Sequence, residues 1–356
     1  APIVYPYVAT EYGGLPFSFQ DIFGKYTIES KGGNRVNLFG FNFNDAVRFA
    51  GDKTISWQSN GYGADFLVIP ASSGTIIEAH LAQSNYKIQS TELLNRPRES
   101  AIDGFNGGLD FTYLLRKYDE FKYGLEFVGY RTDYAYTNSV GRTLDQVQNT
   151  TEIGGYMEYK RQQGRWLVQP GLRLHNYGSL AIVRAEPRIG LKFNATEYLR
   201  FKGSAGRYSQ NLVAANSDRD VVNLFYGFLS GAGDLPTQFD GSPVLNSLQT
   251  ANHYVFGTEL NLSKGLKIEL EGYVKLFDQI TNINRYKIYD DIPVYQDQDE
   301  LLRKDFMIER GYARGIDALL TYQDKHWYFW GVYSLGKVSR FDGAVSYTHL
   351  TLPTTD

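Results

Sequence analysis

LKIELEGYVKL, residues 266–276, decides the reading of this chain. Leu266, Ile268, Leu270, Val274 and Leu276 share one parity with Gly272, while Lys267, Glu269, Glu271, Tyr273 and Lys275 share the other. Successive side chains of a strand point to opposite faces, and no helix would sort these residues so cleanly. The spacing therefore predicts a strand with one apolar and one wet face. The wet face is charged along most of its length, which suits a wall between hydrocarbon and an aqueous interior better than half of a packed soluble core.

The same alternation recurs outward from that stretch. Ile189, Leu191 and Phe193 alternate with Arg188, Gly190, Lys192 and Asn194; Phe121, Tyr123, Leu125 and Phe127 with Lys122, Gly124 and Glu126; Leu199 and Phe201 with Arg200, Lys202 and Ser204. A one-residue slip would exchange the two faces of any such strand. For 266–276 it would push Lys267, Glu269, Glu271 and Lys275 into lipid at ~2–4 kcal/mol for a midplane basic side chain and less for an acidic one, on the order of 10 kcal/mol together. Register is thus strongly specified. Between Arg35 and Phe43 the pattern has two solutions, with either Val36 and Leu38 or Phe39, Phe41 and Phe43 meeting lipid. Pro170 and Pro187 are expected at a bulge, an edge or a strand start.

The composition of the 356 residues hardly shifts from end to end, which favours a single all-β unit. Tyr (28) and Phe (22) are abundant, as suits strands and the interfacial girdles of membrane barrels. A formal net charge of -3 gives no support to nucleic-acid binding, and the absence of Cys excludes disulfides and thiolate chemistry. A mean hydropathy of -0.36, with no run of about 18 apolar residues, excludes spanning helices but not a barrel, whose strands expose only alternate residues to lipid. The chain opens at Ala1 without a charged segment followed by an apolar one, so a missing start is expected. VSYTHLTLPTT, 345–355, resembles one translated frame of a sequencing-library adapter. On that reading residues 1–344 are the genuine polypeptide and 345–356 a non-native tail, in which His349 carries no weight.

Tight turns rich in Gly, Asn, Asp or Ser are expected at 31–34, 71–74, 117–120, 162–165, 194–197, 263–265 and 323–326. Between them lie longer connections, near 44–54, 87–100, 132–150, 176–186, 208–252 and 280–306. Strict alternation of short and long places all tight turns at one end of an up-and-down sheet and all long loops at the other, with about 14 strands, as in outer-membrane barrels.

Enzyme signatures are missing: no GxSxG, HExxH or GxxxxGK[ST] occurs, and His80, His175, His253 and His326 stand at no metal-ligand spacing. Neither a catalytic residue, a cofactor nor a metal is expected. The 208–252 loop carries Asp218, Arg219 and Asp220, then Phe225 and Tyr226, then Phe239 and Asp240. These are candidates to touch a ligand, against the plainer reading of loop packing around a local ion cluster. Asp290, Asp291, Asp297, Asp299 and Glu300 read as a solvated acidic loop, because calcium would need about 6–8 oxygens and a sharp glycine turn. The interior-facing charges are Lys122, Glu126, Arg188, Lys192, Arg200, Lys202, Lys267, Glu269, Glu271 and Lys275; a soluble sheet's solvent face would present the same residues. Leu270→Arg is expected to harm assembly and Glu269→Arg to be tolerated.

Residues 253–282 (HYVFGTELNLSKGLKIELEGYVKLFDQITN) and 311–343 (GYARGIDALLTYQDKHWYFWGVYSLGKVSRFDG) resemble the late-barrel hairpins of TonB-dependent outer-membrane receptors of Bacteroidota-like bacteria. Gly315, Ile316, Asp317 and Ala318, then Tyr333, Ser334 and Leu335, carry the pattern. QPGLRLHNY (169–177), EPRIGLKFN (186–194) and LPFSFQDIFGKYTIES (15–30) are similar to that family's strands too. The resemblance implies an antiparallel, up-and-down transmembrane β-barrel, partial at about 14 of roughly 22 strands. It further implies a bacterial outer-membrane site, a plug domain met by the interior charges, a TonB system, a possible surface lipoprotein partner, contact with outer-membrane lipid, and active import of a siderophore, cobalamin or glycan. The rival readings are a passive porin, a soluble all-β binding or adhesion protein such as a propeller, and an outer-membrane enzyme.

Overall fold

A computed structural model describes residues 17–49, 53–71, 73–91, 98–116, 119–138, 141–215, 225, 227–263, 265–342 and 346–351. Long strands dominate: β1 (Phe17–Glu29), β2 (Arg35–Phe49), β3 (Lys53–Val68), β4 (Thr75–Thr91), β5 (Arg98–Arg116), β6 (Asp119–Thr137), β7 (Thr143–Gln163), β8 (Trp166–Tyr177), β9 (Ile182–Asn194) and β10 (Leu199–Gln210). Two small hairpins follow, β11 (Leu212–Ala215) with β12 (Gly227–Ser230), and β13 (Gln238–Phe239) with β14 (Ser242–Pro243). The long strands then resume as β15 (Gln249–Asn261), β16 (Leu266–Ile283), β17 (Phe306–Gln323) and β18 (Tyr328–Phe341), with a short β19 (Ser346–Thr351) at the end.

Each long strand pairs antiparallel with its neighbours in chain order, β10 passing directly to β15, and the resulting 15-stranded sheet is open. No helix among the described residues is long and apolar enough to cross a membrane. The alternation in 266–276 survives pairing. Leu270 opposes Thr258 and Ala318, and Glu269 opposes Glu259 and Leu319, so like faces join across the sheet. Leu270 is 44% exposed, Leu125 63%, Phe256 60% and Ile316 59%, and no second layer covers them. A continuous apolar surface of this extent is a lipid-facing one, because water-facing monomers do not present such patches.

Three expectations change. The connections expected near 44–54, 87–100, 132–150 and 176–186 are much shorter, because the strands run on through them: β6 and β7 pair as far as Thr137 opposite Thr143. Beyond the hydrocarbon both faces are polar or covered, so alternation fades while backbone pairing continues. The two solutions for Arg35–Phe43 reduce to one, since Leu38 pairs with Ala64, which in turn pairs with outward Leu81, whereas Phe39 and Phe41 face inward. Their rings occupy the space above Gly63 and Gly61, where a Cβ would stand 2.7 and 2.9 Å from them. Third, the acidic loop is neutralised in part by basic side chains, at Asp290, Asp291 and Glu300, while Asp297 and Asp299 are exposed.

Both prolines sit where a ladder is broken. β7 and β8 are bridged at Glu158–Gly171 and Arg161–Val168 but not between, opposite Pro170. Pro187 lies one residue past the last β9–β10 pair, Arg188–Gly206. A missing N–H costs nothing at either place. β19 lies within the adapter-like tail and pairs with the free upper edge of β18. An unpaired edge offers its N–H and C=O groups to any extended segment.

Candidate functional site

The long loop after β10 does not stand out in solvent. It turns inward, and β12 lies across the inner faces of β5, β6 and β7. The Ser100 hydroxyl accepts the Phe228 N–H (2.8 Å) and donates to the Phe228 carbonyl (3.2 Å). Ser230 shares its hydroxyl with Thr132 (3.1 Å) and Thr150 (2.9 Å), all three buried. Gln146 donates to the Ser230 carbonyl (2.8 Å). This clasp holds a small apolar core in which Val213, Phe225, Leu229 and Ala232 of the loop meet Ile55, Ile88, Tyr134 and Leu144 of the wall. Small hydroxyls on the wall let the loop backbone approach closely, and Gly227 permits it, since a Cβ there would stand 2.8 Å from Phe225 and 3.0 Å from Tyr134.

The second long loop, 284–305, is joined to the first. Asp234 accepts the Lys304 ammonium (2.8 Å) and the Asp305 N–H (2.9 Å), while its own carbonyl accepts the Phe306 N–H (3.2 Å). Glu300, in a one-turn helix (Glu300–Arg303), accepts from the Thr237 N–H (2.8 Å) and hydroxyl (3.1 Å). Asp291 receives Lys304 (2.6 Å) and Arg303, Asp290 receives Arg142 (2.7 Å), and Asp299 caps the helix through the Leu301 N–H. The Lys304 hydrogen bond is the largest influence on Asp291; burial opposes it, Arg303 reinforces it, and the carboxyl is pushed down to about 2. Burial works against the Lys304 charge, but Asp234 and Asp291 outweigh it and raise its pKa. At the base of this loop Arg285 bridges Glu309 (3.2 Å) and Asp342 (2.7 Å), both carboxylates fully buried.

Register places the interior charges on the face that carries the loop. Arg200, Lys202 and Lys267 converge on Glu259, which the sequence reading did not single out: Arg200 at 2.6 Å, Lys202 at 2.7 Å and Lys267 at 3.8 Å. Lys202 also reaches Glu269 (3.8 Å), and Lys267 bonds to it. Arg188 pairs with buried Glu186 (2.9 Å) and lies over Tyr208, while Lys275 lies over Tyr273. Glu126 pairs with Arg173 (2.8 Å). Lys192 opposes Lys202, Lys122 opposes Glu158, and Glu271 opposes Gly257 and Asp317. Of the loop candidates, Asp218, Arg219, Asp220 and Tyr226 lie outside the described residues. Phe225 is buried (6% exposed) in the small core beneath the loop. Phe239 is half-buried, and Asp240, in the left-handed turn of the β13–β14 hairpin, pairs with Arg310 (2.6 Å). The clasp residues Ser100, Thr132, Thr150, Gly227 and Ser230 carried no sequence signal of their own; small hydroxyl residues in polar strand ends are common for many reasons.

A meander of long strands, apolar outside and charged inside, with a long loop folded onto its inner wall, has the architecture of the barrel of TonB-dependent outer-membrane receptors. No family model matches the chain, and no curated relative does. Among solved structures the chain is similar to the siderophore receptor PirA of Pseudomonas aeruginosa, at 11% identity over 92% of this chain and 64% of that one, TM-score 0.55. It is similar also to the alcaligin outer-membrane receptor FauA of Bordetella pertussis, at 10% identity over 94% of this chain and 61% of that one, TM-score 0.59. A third is the Serratia marcescens hemophore receptor HasR, solved with its hemophore HasA and heme, at 12% identity over 96% and 56%, TM-score 0.61. The chain spans roughly three-fifths of the length of these proteins. At such identities the shared property is the fold.

Proposed function

We propose that this chain is barrel wall of an outer-membrane, TonB-dependent active transporter that takes up a scarce nutrient. The observation that carries the reading is the loop clasped to the inner wall by Ser100, Thr132, Thr150 and Ser230, because it places loop structure across the interior rather than leaving an open channel. The wall does no covalent chemistry in this reading. It positions loops that bind the nutrient, while a plug domain coupled to the TonB system opens the path. A surface lipoprotein could cover the loops during capture. Siderophores and haem are the first ligand classes to test, because structures of similar fold are receptors for a siderophore and for a hemophore with heme; cobalamin and glycans follow.

The test is uptake of labelled ferric siderophores, haem and cobalamin by cells with and without the gene that carries this chain. Saturable uptake that is lost with the gene and stopped by a protonophore is expected. Non-saturable uptake insensitive to the protonophore would instead make the protein a passive porin.

A further inference from the structure

The outward face of β15–β18 holds a groove of about 880 Å³ centred on Gly272. Tyr254, Phe256, Leu270, Val274, Ile316 and Leu335 form its sides. Packing does not demand the glycine, for a Cβ there would meet nothing closer than 3.9 Å and its φ is not left-handed. Its effect is to leave a trough between Phe256 and Ile316, its partners on the two neighbouring strands.

One rim of the trough is basic. Arg314 and Lys337 stand directly opposite each other on β17 and β18, facing outward with Val274 and Leu335. Like charges so placed repel, and among the described residues neither side chain has a carboxylate partner; Arg314 lies over the Tyr312 ring. Arg314 stands eight residues from Tyr322, beside the turn-end aromatics Trp327, Tyr328 and Phe329. At ~3.4 Å per residue and a tilt of about 40°, that is a rise of roughly 20 Å, close to the ~25 Å height of a barrel's apolar band. The basic pair therefore lies near the loop-side edge of the hydrocarbon, with the trough running below it.

We propose that this groove is a binding site for a phosphorylated lipid of the outer leaflet, its phosphate between Arg314 and Lys337 and an acyl chain along the trough over Gly272. The site rests on the lipid-facing assignment made above. A phosphate satisfies both cations and removes their mutual repulsion, and an acyl chain fills a hollow that no side chain of the barrel fills. Retention by charge alone is about 1 kcal/mol per basic side chain near a membrane surface, so losing both weakens binding roughly thirtyfold.

The test uses the full-length protein that carries this chain, folded in detergent micelles, with lipid A and dephosphorylated lipid A as probes and native mass spectrometry as readout. Wild type is expected to retain one lipid A and little of the dephosphorylated form. Arg314→Gln with Lys337→Gln should weaken retention by roughly thirtyfold, Gly272→Leu should abolish it by filling the trough, and Arg314→Lys should preserve it. Equal retention of the two lipids, or unchanged retention in the Gln pair or in Gly272→Leu, overturns the proposal. So does a lipid-insensitive dimer buried through this face. Heat-modifiable migration of each variant reports the fold separately: loss of retention with migration intact addresses the site, whereas wild-type full-length protein that never acquires the bilayer-folded form counts against the membrane assignment itself.

Discussion

A methyl group at residue 227 would stand 2.8 Å from Phe225 and 3.0 Å from Tyr134, so the inward loop depends on what Gly227 lacks. Gly227→Val is expected to release the clasp at a cost of about 1–3 kcal/mol, with the barrel intact. Limited proteolysis should then cut within 211–248 sooner than in wild type while heat-modifiable migration is unchanged. Outward and inward residues differ in kind. Leu270→Arg places a charge in hydrocarbon at about 2–4 kcal/mol and should reduce the assembled fraction in a membrane-insertion assay. Its proper control is Glu271→Arg rather than Glu269→Arg, because Glu269 bonds to Lys267 and helps neutralise three cations around Glu259, whereas Glu271 is exposed on the same face. Equal insertion of Leu270→Arg and Glu271→Arg would reverse the assignment of faces.

At the scale of elements, the two long loops form one unit through Asp234, Lys304 and Asp291. Lys304→Met leaves two partly buried carboxylates without their common cation, and loss of such a partner typically costs a few kcal/mol. Hydrogen exchange of 284–305 should rise, and that of 231–248 should rise with it; independent behaviour of the two would show that the ion pairs do not couple them. The pH dependence has a definite sign. Asp291 is depressed from its ordinary 3.8 to about 2, so its contribution is complete above the ordinary value and is lost as pH falls through about 2. Lys304 is raised, so its contribution is complete below about 10 and lost only in stronger alkali. Loop exchange protection should therefore be flat across neutral pH and fall below about pH 4. A fall centred near pH 6 would point to a histidine instead.

The whole molecule is an open sheet. Among the described residues nothing pairs with the outer edge of β1, and β18 is covered only along its upper half. Hydrocarbon does not tolerate unpaired backbone, so a polypeptide of this sequence, expressed alone, is expected to self-associate by its edges. A monodisperse, water-soluble monomer in analytical ultracentrifugation would contradict this. Much of the architecture could be read from residues alone: period-2 alternation assigned the faces of β6, β9, β10 and β16, and Gly, Asn, Asp and Ser located the tight turns. These signals are local, written by the contrast between lipid and water on the two sides of one strand. Where the contrast ends, so did legibility, which is why strands passed unseen through 132–150 and why Phe39, Phe41 and Phe43 fitted either face. The clasp, the Glu259 cluster, the joined loops and the trough over Gly272 unite residues far apart in the chain. Only pairing and loop folding decided them, because each arises from a meeting of side chains that no periodicity encodes.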